Sequence, residues 1–229
     1  PKPLGIQGLD LALFGEWLPS APRQRALIGA SIGSWRFASA CLDDPVEGIR
    51  RLGELYTEQD FAKGVTPSEI SRSCQQMLDD LLQGRDRQIL ANPHYRLNVL
   101  VVKSHGQLAH DHRGRLGMGL GSVIANNLLG RSRLSRHFER IILHDERAAP
   151  PLDALTDFPS RCLPLALANL RHALLASGSI PMVMEGVRDI PGVGTGTYRD
   201  GGLLDYHLDL PYRGDDLVPV SYTHLRAHE

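Results

Sequence analysis

The chain has 229 residues, of which 42% are apolar and 22% are charged, with a formal net charge of −1 at pH 7. These values are ordinary for a globular protein and allow one large domain with a sizeable core. Because the whole chain carries almost no net charge, it lacks the general field that attracts nucleic acid or anionic membranes, and we expect no nucleic-acid partner.

The cysteine content indicates a reducing environment. The three cysteines, Cys41, Cys74 and Cys162, are far apart and form no C-x-x-C pair. This spacing argues against a disulfide framework and against a zinc-cysteine site, and it favours a cytoplasmic location. No apolar run approaches the ~18 residues that a transmembrane helix needs.

The first predicted elements lead to a serine motif. Apolar residues at helical spacing predict a helix over 9–18, which is followed by a short apolar strand, Ala26–Ile28. That strand runs directly into Gly29-Ala30-Ser31-Ile32-Gly33, and a helix is predicted over 32–42. G-x-S-x-G between a strand and a helix is typical of a nucleophile elbow, a turn so tight that the residues around the serine must be small.

Ser31 is therefore the candidate nucleophile, and Gly29 and Gly33 are the glycines of its motif. A serine hydroxyl becomes a good nucleophile only when a base takes its proton. We expect backbone N–H groups at the start of the next helix, with Ile32 first, to stabilise negative charge on an attacked carbonyl oxygen.

Predicted helices and strands alternate through the rest of the chain. A helix starts at Asp44-Pro45-Val46-Glu47 and runs to about Tyr56, and a second starts at the capping box Thr66–Glu69 and ends near Gly84. The further predicted elements are strands over 96–102 and 140–143, helices over 118–129 and 165–176, a proline-rich loop over 148–159 and a glycine-rich loop over 192–196. The alternation predicts an α/β fold with a largely parallel sheet.

Several polar or aromatic residues are assigned no chemistry. The basic segment 130–136 is interpreted as a solvated helix face, and Trp35 as a packing residue. A histidine-rich stretch invites a metal interpretation, but its spacing fits no metal motif and its glycines indicate a loop, so no metal ligand is predicted. Its candidate residues are His94, His105, His110, Asp111 and His112.

The base for Ser31 is suggested by Asp200-Gly201-Gly202. Two glycines after an aspartate allow a sharp turn and leave the carboxylate uncrowded, although an ordinary turn would use the same dipeptide. An α/β-hydrolase triad would instead place a histidine last in the chain, with His207 or His172 as the candidates. Asp205 and His207 are further candidates to line the site.

Taken together, the motifs resemble those of the patatin-like phospholipases. Gly29–Gly33 matches their nucleophile motif, Asp200–Gly202 matches their D-G-G/A motif, and Ala176–Pro181 is similar to the A-S-x-x-x-P segment between them. The resemblance implies a three-layer α/β/α sandwich and a catalytic dyad of Ser31 and Asp200 without histidine. It also implies hydrolysis of a lipid acyl ester through an acyl-serine intermediate, with no cofactor and with transient contact to a membrane surface.

The chain departs from the family pattern at its beginning. The family has a glycine-rich oxyanion loop, G-G-G-x-[K/R]-G, upstream of the elbow, whereas this chain opens at Pro1 with Lys2 as the candidate basic residue. Losing oxyanion donors costs about 10²–10³-fold in rate per donor, so we expect weak or no activity from a chain without the loop. A non-catalytic interaction module on the same fold is a second hypothesis, and robust binding without turnover would favour it.

The end of the chain is expected to be foreign. Residues 220–229 resemble the translation of a transposase-type sequencing adapter, and Pro219 obeys the constraint that the adapter places on the codon before them. We therefore expect one acyl-hydrolase domain over 1–218, lacking its first strand, followed by a non-native tail over 219–229.

Overall fold

The computed structural model describes residues 3–152, 155–208 and 210–213. Lys2 and the expected foreign tail, 219–229, lie outside the described residues. Within the described ranges, no helix is long and apolar enough to cross a membrane.

Eight α-helices lie within the described residues. Two of them have the starts that the sequence predicts, because the Asp44 carboxylate accepts from the Glu47 amide and Thr66 forms a reciprocal capping box with Glu69. The helices are α1 (Gln7–Ala12), α2 (Ile32–Ala40), α3 (Pro45–Thr57), α4 (Pro67–Leu82), α5 (Asp86–Ala91), α6 (Arg113–Leu129), α7 (Leu170–Ser177) and α8 (Gly202–Asp205).

The strands of the described residues are β1 (Arg25–Ala30), β2 (Tyr95–Ser104), β3 (Phe138–Asp145), β4 (Ser160–Leu165), β5 (Val187–Arg188) and β6 (Thr197–Asp200). They form one sheet in the order β4-β3-β2-β6-β5, and β1 pairs with β2 beside that path. The helices and this sheet establish the α/β class.

The sheet is mixed, so the expectation of a largely parallel sheet is wrong. Strands β1 and β2 are parallel, as are β3 and β4, but the described pairings β2–β3, β2–β6 and β5–β6 are antiparallel. The apolar run in β2 predicted correctly that both its faces are covered. That pattern reports burial and not strand direction, because antiparallel neighbours can be covered on both faces too.

Apolar side chains pack on both faces of the sheet. On one face, Leu97, Val99 and Val101 of β2 belong to the larger cluster, which includes buried residues of α2, α3, α4 and α7. On the other face, Leu100 and Val102 belong to smaller clusters with residues from α6 and α8. The two sets of residues alternate along β2, as a strand buried on both faces requires.

Two predicted helix starts are wrong. Helix α6 begins at Arg113 and not at 118, because its glycines suggested a loop where the backbone is already helical. Helix α7 begins at Leu170 and not at 165, because 160–165 form β4. Pro164 is tolerated there since β4 lies at the edge of the described sheet.

Candidate active site

Two strands that run toward each other bring the candidate residues together. Strands β1 and β6 pair with the same edge of β2, β1 in parallel and β6 in antiparallel orientation. Ala30 at the end of β1 is opposite Leu100, and Asp200 at the end of β6 is opposite Val101. The carboxyl ends of the two strands therefore meet, and Ser31 follows one of them directly beside Asp200.

The turn at Ser31 has the strained backbone of an elbow. Ser31 has φ 55° and ψ −137°, a conformation that non-glycine residues rarely adopt and that costs of order 1–3 kcal/mol. Its amide donates to Ser177 Oγ at 3.0 Å, and Ser177 Oγ donates to the Leu100 carbonyl at 2.8 Å. Buried Ser177 thus ties the elbow to β2.

Only one of the two motif glycines is required by a close approach. A Cβ on Gly29 would lie 2.6 Å from the backbone N and Cα of Ser34, so no larger residue fits without a backbone shift. A Cβ on Gly33 would meet no atom within 4 Å. The expectation that every residue flanking the serine must be small is therefore correct for Gly29 and wrong for Gly33.

Ser31 and Asp200 are in direct contact. Ser31 Oγ donates to Asp200 Oδ2 at 2.7 Å, and the Gly202 amide donates to Asp200 Oδ1 at 2.7 Å. Asp200 is only 5% exposed. Burial raises the pKa of Asp200 to about 6, against the opposing effect of the Ser31 and Gly202 hydrogen bonds. Such a carboxyl is ionised at neutral pH and retains useful basicity there.

Positions 201 and 202 require glycine for different structural reasons. A Cβ on Gly201 would lie 2.4 Å from the Leu100 carbonyl oxygen, so β2 excludes any side chain at that position. A Cβ on Gly202 would lie 3.0 Å from Asp200 Oδ1, the oxygen that accepts from the Gly202 amide. Both glycines therefore allow the carboxylate to stay against Ser31.

Backbone amides at the start of α2 are available to an anion. The amides of Ile32 and Gly33 have no acceptor among the described residues, as expected for the first positions of a helix. Ser31 does not cap α2 with its side chain, because its hydroxyl is directed to Asp200. The predicted role of Ile32 is therefore compatible with the geometry, and Gly33 adds a second donor.

No described histidine hydrogen-bonds to Ser31 or Asp200. His172 and His207 are both exposed, and the ring of His207 packs edge-on against Tyr206. The structure therefore brings neither triad candidate to the serine.

Asp205, which was expected to line the site, forms an ion pair with Arg140. Its carboxylate accepts from Arg140 Nε at 2.6 Å, and both side chains are buried. Arg140 also pairs with Asp157. The prediction that Asp205 lines the site is wrong, since the carboxylate is engaged in this buried ion pair.

The histidine-rich stretch is tied to β6. Asp111 accepts from Arg199 Nη2 at 2.6 Å and from Arg188 Nη2 at 2.9 Å, and Arg199 is completely buried. Partial burial raises the pKa of Asp111, but the hydrogen bond from the Gly186 amide, together with the two ion pairs, holds that pKa below its ordinary value. Among the described residues no group of three or more His, Cys, Asp and Glu is placed to hold a metal ion.

Trp35 is a packing residue, as predicted. Its side chain is buried, and its Nε1 donates to the Leu174 carbonyl at 2.8 Å, which joins α2 to α7. Its neighbour Arg36 pairs with Asp10 inside the protein, so the start of the described chain is fastened to the same helix.

Sequence reasoning missed the functions of Ser177 and Arg199. Ser177 lies in the A-S-x-x-x-P segment, but that pattern gave no reason to expect a contact with the elbow. Arg199 is a charged residue in an unpredicted strand, and nothing in the local sequence indicated that it is buried. Only tertiary contacts reveal the two positions: Ser177 through its bonds to Ser31 and Leu100, and Arg199 through the pairing of β6 with β2.

Comparisons with models of protein families, with curated proteins and with solved structures found no match for this chain. The three motif segments that carry the resemblance to patatin-like phospholipases lie in contact: Ser31 bonds to Ser177 and to Asp200, and the Asp200 amide donates to the Ser179 carbonyl at 3.2 Å.

Proposed function

We propose that this protein is a serine acyl hydrolase of patatin type, which cleaves lipid acyl esters with Ser31 as nucleophile and Asp200 as general base. The single observation that carries the proposal is the 2.7 Å hydrogen bond from Ser31 Oγ to a buried carboxylate 169 positions away in the chain. The strained φ of Ser31 and the two amides at the start of α2 support it. The three contacting motif segments favour the patatin type.

In the first half of the proposed reaction, Asp200 accepts the hydroxyl proton while Ser31 Oγ attacks the ester carbonyl carbon. The electron pair of the carbonyl moves to its oxygen, and the amides of Ile32 and Gly33 donate to that oxyanion. Collapse of the tetrahedral intermediate breaks the bond to the alcohol, which leaves with the proton held by Asp200. The product is an acyl ester of Ser31.

In the second half, water replaces the alcohol. Asp200 accepts a proton from the water, whose oxygen attacks the acyl-serine carbonyl carbon. The intermediate collapses, the carboxylic acid leaves, and the proton returns to Ser31 Oγ. The same carboxylate acts as base and then as acid in each half, which requires only that it stay in contact with the serine hydroxyl.

Covalent labelling with a fluorophosphonate tests the dyad, because an irreversible label accumulates even when turnover is slow. We expect the protein to be labelled, Ser31→Ala to remain unlabelled, and Asp200→Asn to react at least about 100-fold more slowly, the usual contribution of a general base. Hydrolysis of a phospholipid, measured as fatty-acid release, should follow the same order.

Matched variants separate the dyad from nonspecific effects. Ser73→Ala in α4 and Asp43→Asn just after α2 remove a serine hydroxyl and a carboxylate that do not hydrogen-bond to Ser31 or Asp200, and both variants should label like the unaltered protein. Labelling of Ser31→Ala would refute the proposal. Loss of labelling in His207→Ala, together with normal labelling of Asp200→Asn, would replace the dyad with a histidine triad.

A further inference from the structure

Helix α6 is apolar on both its inner and its outer sides. On the inner side, Leu116 packs with Leu108 and Phe138 in a buried cluster. On the outer side, side chains that one or two helical turns bring together are exposed to 64% for Met118 and Ile124 and to 83% for Leu128. We call the outer residues the apolar face of α6; they are Met118, Gly121, Ile124, Ala125 and Leu128.

This arrangement is unusual for a helix at a protein surface. Such helices normally present charged or polar residues outward, and a helix that is apolar all round is normally covered. The apolar face of α6 contains no charged residue over its whole length. Exposed apolar patches of this kind mark surfaces that bind a partner or a membrane.

Arginines lie at both ends of the apolar face of α6. The stretch 112–138 contains five arginines and no aspartate or glutamate. Arg113 and Arg115 lie exposed in the first turn of α6, and Arg133 and Arg136 lie exposed just beyond its end. None of these four forms an ion pair with a described carboxylate. The net charge of the chain is near zero, but this region is strongly basic.

The apolar face continues toward the candidate active site. Met182 reaches α6, since its Cε lies 4.0 Å from the position of a Cβ on Gly117. Ile180, Met182 and Val183 are exposed, and they directly follow Ser179, whose carbonyl accepts from the Asp200 amide. A shallow depression of about 400 Å³ lies at the first turns of α6, where it is lined by His112, Gly114, Arg115 and Met118.

We propose that the apolar face of α6 docks on an anionic lipid bilayer, with the helix lying in the plane of the interface. Apolar side chains enter the boundary between headgroups and acyl chains, and the arginines at the two ends of the helix bind lipid phosphates. A helix of 17 residues spans about 25 Å, so the two arginine groups flank an apolar face of about that length.

The charges favour a bilayer over a second copy of the chain as the occupant. A symmetric dimer through this face would bring two sets of arginines together with no acidic residue between them, and like charges at an interface oppose association. An anionic bilayer supplies both the apolar layer and the opposite charge. The proposal rests on the proposed function, since it assigns a surface to the membrane contact of a lipid hydrolase, but docking is measured separately because it does not require that Ser31 react.

Flotation of the full chain with lipid vesicles tests the docking. We expect binding to vesicles of equal parts phosphatidylcholine and phosphatidylserine, and much weaker binding to phosphatidylcholine alone. Arg133→Glu with Arg136→Glu should weaken binding at least about 30-fold, since each arginine near an anionic surface contributes about 1 kcal/mol. Ile124→Gln with Leu128→Gln should weaken it at least about tenfold.

Matched control variants replace exposed apolar and basic residues in other parts of the protein. Leu9→Gln with Leu167→Gln, and Arg50→Glu with Arg87→Glu, alter exposed side chains away from α6 and should bind like the unaltered protein. Ser31→Ala should also bind normally, so a failure of hydrolysis and a failure of docking give different results. Circular dichroism checks that every variant is folded.

Three results would overturn the proposal. The first is that the unaltered protein does not float with anionic vesicles. The second is that the α6 variants bind as well as the controls at other sites. The third is that light scattering detects a dimer that Ile124→Gln with Leu128→Gln dissociates, in which case a second copy covers the face.

Discussion

The elbow at Ser31 has a strained backbone and the apolar face of α6 has exposed apolar side chains, and both features cost free energy. The two regions differ in what surrounds them. At the elbow, a positive φ is fixed from several sides: Ser177 accepts from the Ser31 amide, and Gly29 packs against the backbone of Ser34. On α6, Leu128 points outward with 83% of its surface exposed. The cost of the strained backbone is offset inside the chain, whereas the cost of the apolar face can be offset only by something outside it.

This difference has consequences for substitutions. Changes at the elbow should alter both the fold and the reactivity of Ser31, because the same contacts hold both. Changes on the apolar face of α6 should leave the fold intact and alter only what the protein binds. Substitutions of Gly29, Asp200 and Ser177 test the elbow and the dyad. Substitution of Ile124 with Leu128 tests the apolar face of α6.

We expect the largest combined loss of stability and reactivity from Gly29→Ala. The added Cβ would lie 2.6 Å from backbone atoms of Ser34, and overpacking of this kind costs about 1–3 kcal/mol of unfolding free energy. A displacement of Ser31 of order 1 Å also costs about 100-fold in rate, measurable as fluorophosphonate labelling.

Gly33→Ala is the matched control for the fold, because its Cβ meets no atom within 4 Å. Its unfolding free energy, measured in urea, should stay within about 0.5 kcal/mol of that of the unaltered protein. If the two alanine variants unfold alike, the close approach at Gly29 does not hold the elbow.

Asp200→Asn should stabilise the protein at neutral pH while lowering the reactivity of Ser31 at least about 100-fold. Burial raises the pKa of Asp200 from 3.8 to about 6, so the folded protein binds this proton more tightly than the unfolded chain does. Stability therefore falls as the pH rises from about 4 to about 6, by roughly 3 kcal/mol in all. The neutral amide avoids this loss.

Thermal or urea unfolding across the pH range measures the effect. The Asn variant should exceed the unaltered protein by up to about 3 kcal/mol at pH 8, and the difference should vanish below pH 4. Asp43→Asn controls for the removal of one negative charge from the surface. A variant that is less stable than the unaltered protein at every pH would show that the buried carboxylate stabilises the fold.

Ser177→Ala should have an intermediate effect on stability and rate, because Ser177 positions the elbow without contacting the substrate. The substitution removes the acceptor of the Ser31 amide and one donor to the Leu100 carbonyl, at a cost of about 1–3 kcal/mol. We expect kcat to fall with KM unchanged, because the elbow loses a restraint and no substrate contact is removed.

Ser179→Ala is its control, since among the described residues Ser179 Oγ bonds to the Leu175 carbonyl of α7 and not to the elbow. Ser179→Ala should retain the kcat of the unaltered protein. Equal losses of kcat in the two variants would mean that general damage to α7, and not the contact with the elbow, lowers the rate.

The parts of the fold that could be predicted from the sequence have local causes. The elbow was predicted because G-x-S-x-G, the preceding strand and the following helix are contiguous, and the capping residues Asp44 and Thr66 act within one turn. The pairing of Ser31 with Asp200 could be predicted only through a resemblance. In the structure it arises because β1 and β6 meet end to end on one edge of β2, which no local pattern encodes.

The missed features depend on tertiary contacts. Strand β6 contains Arg199 and Asp200, which are unfavourable in an isolated strand, and it is stable because Asp111 pairs with the buried arginine. The start of α6 was missed because Gly114 and Gly117 lower the helix propensity of the segment, while packing of Leu116 against Leu108 maintains the helix. In both places burial outweighs local preference.

The smallest effect on the fold should come from Ile124→Gln with Leu128→Gln. Both side chains are exposed, and glutamine keeps the helix propensity of the segment, so the unfolding free energy should change by no more than about 0.5 kcal/mol. Leu116→Ala, on the buried side of the same helix, should cost about 2–5 kcal/mol by comparison. Urea unfolding of both variants measures the contrast directly. If the outer pair destabilised the protein as much as the inner leucine, then α6 would be packed against the rest of the chain on both sides, and its apolar face would have no surface to offer a bilayer.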